Sequence, residues 1–192
     1  MKKNVFLGIS MLLLLMACKK EKPVEPTKHP EMNYVDLQNA EVKYQQTKKI
    51  DYDNDGIDDL SFGVLLVGDP ILEIDRLQFY ANAKNHSGFL IDARQESLAL
   101  NKFDVITKNY EGYTWVMNPA TILCEKITDN NGSHWTGPWA DANRKYLPLQ
   151  ITKNEKTYNG WVEISFDKIG EKLVLHKIGL STEENKDVKA GF

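Results

Sequence analysis

From Leu37 onward the chain has no stretch with the three-and-four spacing of apolar residues that buries one side of a helix. It runs instead through short segments rich in Val, Ile, Tyr, Phe and Trp, separated by turn residues. The segments predicted as strands are Val42–Ile50, Leu60–Val67, Ile74–Ala81, Phe89–Ala93, Gly112–Met117, Ile122–Thr128, Tyr146–Thr152, Thr157–Phe166 and Leu173–Leu180. Within Thr157–Phe166, Val162, Ile164 and Phe166 alternate with Trp161, Glu163 and Ser165, the period-two pattern of a half-buried strand. Lys153-Asn154-Glu155-Lys156 reads as a hairpin turn, and Asn130-Asn131-Gly132 as another, because Asn and Gly accept positive φ at low steric cost. Strands at this spacing predict one all-β domain over 37–192, a two-sheet antiparallel β-sandwich or jelly roll. A short helix over Pro30–Asn39 is a weaker expectation. No internal repeat supports a propeller.

Composition narrows the function classes. The 192 residues carry 24 Lys+Arg against 27 Asp+Glu, which excludes the strongly basic surface of a nucleic-acid binder. Two cysteines are too few for a disulfide framework.

The amino terminus carries an address. Met1-Lys2-Lys3 is a basic start, and Val5 to Met16 is mostly apolar but too short for the roughly 20 residues that span a bilayer. Leu15-Met16-Ala17-Cys18 follows and resembles the lipobox of bacterial lipoproteins. That resemblance implies a signal peptide over 1–17, cleavage before Cys18, and a lipid on its thiol. The alternative is an ordinary secretory leader with an incidental Cys. Two or more acyl chains give stable anchoring where one is marginal. Lys19-Lys20-Glu21 has no Asp directly after the Cys, so the resemblance implies the outer membrane, with the periplasmic or outer face open. Between 18 and 36 the charged chain with Pro23, Pro26 and Pro30 reads as a linker, and His29 as a solvated residue within it.

The segment with chemistry in it is Asp51-Tyr52-Asp53-Asn54-Asp55-Gly56-Ile57-Asp58-Asp59. Carboxylates at positions 1, 3 and 5 converge when such a loop curls, and Gly56 permits the bend. The Ile57 carbonyl is expected to add a ligand as its side chain turns into the core, and Asp59 to close the shell. Hard oxygen donors suit Ca²⁺. An EF-hand places a Glu at position 12, which here is Phe62. The loop is instead similar to the DxDxDGxxD hairpins of integrin FG-GAP repeats, where strands flank the loop and the last carboxylate comes at position 9. Without an ion the same residues make a solvated acidic turn, with Lys48 and Lys49 offsetting part of the charge.

Two further features stand out. Tyr146-Leu147-Pro148-Leu149, Tyr158-Asn159-Gly160-Trp161-Val162-Glu163-Ile164 and Ala190-Gly191 resemble the carboxy-terminal part of some exported bacterial β-sandwich proteins. In that stretch Gly160 is expected to let the Trp161 indole lie against backbone. Trp135 and Trp139 lie in a predicted loop with His134, Asp141 and Arg144, and form either a sugar-stacking platform or an aromatic cap on the sandwich. Catalysis has little support. Cys124 reads as a small buried hydrophobe, His86 and His176 are isolated, and no nucleophile, phosphate-loop or dinucleotide motif is present. The expectation is therefore a non-catalytic binding or assembly module of the envelope, contacting a glycan or an envelope protein. A cell-surface hydrolase such as a glycosidase and a purely structural component are the alternatives.

Overall fold

A computed structural model describes residues 28–192. The signal-peptide and lipobox expectations, Cys18 included, lie outside the described residues. Thirteen strands follow in order: β1 Met32–Val42, β2 Thr47–Ile50, β3 Leu60–Asp69, β4 Ile74–Ala83, β5 Ser87–Ile91, β6 Val105–Ile106 and β7 Thr114–Met117 come first. Then come β8 Ala120–Asp129, β9 Gly132–Thr136, β10 Lys145–Lys153, β11 Lys156–Asp167, β12 Lys172–Ser181 and β13 Val188–Lys189. Among the described residues there is no helix.

The strands form a β-sandwich. One sheet has the order β1-β12-β11-β10-β5-β7, the other β2-β3-β4-β8-β9, and a two-stranded layer pairs β13 with β6. Every pairing is antiparallel. The inward residues of β11 are the predicted Val162, Ile164 and Phe166, which pack with Leu147, Leu149, Leu173 and Leu175 of neighbouring strands. Facing them from the second sheet are Phe62, Phe79, Ala81 and Leu123. The Phe79 and Phe166 rings meet edge to face with centroids 5.0 Å apart, an arrangement aromatic quadrupoles favour.

The predicted hairpin over 153–156 joins β10 to β11, with Asn154 and Glu155 at φ 51° and 62°. Positive φ at both turn residues matches the twist of the flanking strands. The turn at 130–132 likewise joins β8 to β9.

Three expectations are corrected. Pro30–Asn39 is not helical: β1 begins at Met32, inside the expected linker, because Met32 to Asp36 pair with β12 from Ser181 to Lys177. Val42–Ile50 is not one strand. A turn over 43–46 with Gln45 at φ 64° carries the chain from β1 in one sheet to β2 in the other. His29 is not a free linker side chain. It accepts the Lys189 N–H at 2.9 Å and stacks on Phe192 with centroids 3.7 Å apart.

The outward face of β11 also departs from simple alternation. Trp161 is only 1% exposed, because the β6–β13 layer covers it with Ile106, Val188, Ala190, Leu100 and Tyr146. Space for the indole comes from Gly179, where an added Cβ would lie 2.6 Å from the ring. Gly160, expected to do this, is needed for a different reason: its Cβ would run into the Gly179 carbonyl on β12. The Trp161 indole N–H has no acceptor among the described residues, at a cost of roughly 1–3 kcal/mol against the gain from burying the ring.

Candidate metal centre

The nine-residue acidic segment connects β2 to β3, whose pairing ends at Ile50 and Leu60. Strands thus flank the loop on both sides, in line with the strand-like residues predicted before and after it. At its base Asp59 donates its N–H to the Ile50 carbonyl at 2.8 Å. Inside it the Asp51 carboxylate accepts N–H groups from Asp55 at 3.2 Å and Gly56 at 2.8 Å. Gly56 sits at φ +88° with open space around it, so backbone conformation alone calls for glycine here.

This curl gathers three carboxylates. Ligand atoms of Asp51, Asp53 and Asp59 lie within 4.8 Å of one another, so the group could hold a metal ion. Asp55 is not part of it and accepts the Ile57 N–H at 2.8 Å. Ile57 does not turn inward as expected: its side chain is 55% exposed, because the loop stands clear of the sandwich at that point. Asp58 points away and pairs with Lys49 at 2.8 Å.

Asp59 anchors the cluster to the fold. It is 1% exposed, and its carboxylate accepts from the Tyr52 N–H at 3.0 Å and from the Asn85 side chain at 3.1 Å. Burial pushes its carboxyl above the usual carboxylate range. The two hydrogen bonds oppose that shift, and the charges of Asp53 and Asp55 add to it. Burial also raises the Tyr52 phenol, and the surrounding aspartates raise it further. The positive charge nearest the group is on Lys153, at the β10–β11 turn, 3.1 Å from Asp53. Lys49, expected to offset the cluster, is held by Asp58 instead. Asn85 and Lys153 lie far from the loop in sequence, so no local signal marks them.

The tryptophan segment is divided between the core and the rim of the sandwich. Trp139 is 0% exposed and donates its indole N–H to Ser97 Oγ at 2.9 Å. Its faces are covered by protein, so a sugar-stacking role for it is corrected. Trp135 lies on strand β9 rather than on a loop, half-buried, with its centroid 4.7 Å from that of Phe166. His134 is exposed on the same strand. Asp141 pairs with Lys168, and Arg144 pairs with Glu163 at 2.8 Å. Cys124 is fully buried, and burial drives its thiol far up, so it stays protonated and unreactive.

His176 is not isolated. Its Nε2 lies 2.8 Å from Ser165 Oγ and its Nδ1 2.7 Å from Asn39 Oδ1, while Ser165 Oγ accepts the Arg144 N–H at 2.9 Å. Two register shifts create this chain. Asp36 and Ala40 of β1 face Lys177 and Leu175, and β11 skips His176 in the same way. Gln38 and Asn39 sit at φ 56° and 54° to make the bulge. Burial and the Arg144 charge lower the His176 pKa, and the Glu163 charge opposes them. Residues 39, 165 and 176 come from three strands, and no sequence spacing links them.

Fold and cluster together define an all-β sandwich with three aspartates that could hold a metal ion. No protein-family model matches the chain, and neither a curated protein nor a solved structure matches it.

Proposed function

We propose that this chain is a lipid-anchored, calcium-binding β-sandwich of the bacterial envelope, a binding or assembly module without catalytic activity. The observation that carries the reading is the convergence of Asp51, Asp53 and Asp59 at the β2–β3 connection. Three carboxylates this close repel one another, and a divalent cation relieves the repulsion. An all-oxygen donor set is the chemistry Ca²⁺ prefers, and extracellular sites of this kind bind at roughly 10⁻⁴–10⁻³ M. The ion's role is structural: it ties two strands at a loop whose three clustered carboxylates have Lys153 as their paired cation among the described residues. The lipobox-like Leu15-Met16-Ala17-Cys18 supports the anchor and an outer-membrane destination.

Changing Cys18→Ser tests the anchor. The expected result is an exported protein that leaves the membrane fraction and no longer incorporates labelled palmitate. A variant that stays membrane-bound and labelled speaks against lipidation at this residue.

A second reading, a serine hydrolase, is favoured by one observation, the Ser165–His176–Asn39 chain. Its polarity allows Ser165 to pass a proton to His176 while Asn39 orients the ring. A fluorophosphonate probe decides between the readings. The binding-module reading expects Ser165 to remain unmodified, whereas a phosphonylated Ser165 that disappears in His176→Ala establishes the hydrolase.

A further inference from the structure

A groove opens on the outward face of the six-stranded sheet, beside the β6–β13 layer. Its volume is about 440 Å³, within the range of small-ligand sites and wide enough for a mono- or disaccharide. One wall is aromatic. Tyr110, Tyr113 and Trp115 line it, each half-buried. The facing wall is polar, with Gln150, Asn159, Asn185 and Asp187.

Both walls are held before any ligand arrives. The Trp115 indole N–H bonds the Thr107 carbonyl at 3.1 Å, and the Tyr110 and Tyr113 rings meet edge to face with centroids 6.1 Å apart. On the polar side Gln150 donates to Asn159 at 3.0 Å, and Asn159 donates to the Lys186 carbonyl at 2.7 Å. The Asn185 N–H bonds the Thr157 carbonyl at 2.7 Å and fixes the last stretch of the rim. Such pre-ordering lowers the entropy lost on binding.

This scaffold leaves some hydrogen-bonding groups over. Among the described residues, Gln150 Oε1, the Asn185 side-chain amide and the Asp187 carboxylate have no hydrogen-bond partner in the protein. A planar amide offers donors and an acceptor, and a carboxylate offers two acceptors, a set that matches neighbouring sugar hydroxyls. The aromatic faces suit the apolar C–H side of a pyranose ring. Lys108 and Asp187 leave the lining without excess charge, which disfavours phosphates and acidic polymers.

We infer that this groove, rather than the Trp135–Trp139 segment, binds a neutral pyranose glycan. The inference deepens the binding-module reading and rests on it, but the site shares no residue with the aspartate cluster.

The test is calorimetric titration of the full chain with cellohexaose, maltohexaose, xylohexaose, mannohexaose, laminarihexaose and chitohexaose. Saturable binding by at least one, with Kd of about 1 mM or tighter, is expected. Tyr113→Ala should weaken it by about tenfold or more, by removing a stacking face. Asn185→Gly should weaken it as well; glycine accepts the φ of 55° there, so this variant keeps its melting temperature. Silence with all six sugars, or binding that survives both substitutions, overturns the inference. A sugar-silent chain whose melting point still rises with calcium removes the groove and leaves the metal reading standing. A chain that binds sugar but ignores calcium does the opposite.

Discussion

Calcium at about ten to a hundred times its dissociation constant is expected to stabilise the protein by roughly 1.5–3 kcal/mol, since an ion that binds only the folded state acts by mass action. For a domain of this size that corresponds to a rise in melting temperature of roughly 3–10 °C over a chelated sample. The double substitution Asp51→Asn with Asp53→Asn should abolish the response. Asparagine keeps one side-chain oxygen at each position, which at 51 can accept the Gly56 N–H and at 53 the Asp55 N–H, so one loop hydrogen bond to each N–H is retained while two charges vanish. The metal-free variant should therefore melt at or above the metal-free wild type, because repulsion within the cluster is relieved. That pairing is the diagnostic outcome. A structural defect lowers both melting points, whereas loss of a cation site removes only the calcium increment. Identical melting curves with calcium and with chelator in the wild type would rule out a stabilising ion at this loop.

Trp139→Ala should be the most damaging of the aromatic truncations, at about 3–5 kcal/mol, through the cavity it leaves. It also strips Ser97, 1% exposed, of the indole N–H that its hydroxyl accepts. The melting temperature should fall on the order of 10 °C. Trp135→Ala should cost less, because its ring is half-buried on the edge strand β9 and contacts Phe79 and Phe166 from one side. Thermal denaturation of the two variants side by side is the check. Equal and small losses would show that the Trp139 pocket closes around the gap, contrary to the burial seen here.

Much of the scaffold was legible because its signals are local. Hydrophobic alternation over Thr157–Phe166 depends on residues within one strand, and a turn such as Asn154-Glu155 depends on its own backbone preference. The β1 error shows where such reasoning stops. Met32-Asn33-Tyr34-Val35-Asp36 is a strand because β12, well over a hundred residues away, provides its hydrogen-bond partners. Trp161 illustrates the same limit for burial. Its indole is expected to lie against backbone beside Gly160, but it lies on the outward side of β11, and the cover that buries it there comes from the small β6–β13 layer.

The amino-acid sequence by itself determined the class of the fold, its hairpins, and a tight acidic loop between two strands, since periodicity, turn chemistry and crowded charge all act over a few neighbouring residues. The tertiary structure alone decided which carboxylates converge, leaving out Asp55 and burying Asp59 against Asn85. It also placed Trp139 in the core, joined Ser165 to His176 and Asn39, and set Tyr110–Trp115 opposite Gln150 and Asn185. Each of those results needs strands distant along the chain to pack side by side, and the free energy that selects such packing resides in contacts no short segment contains.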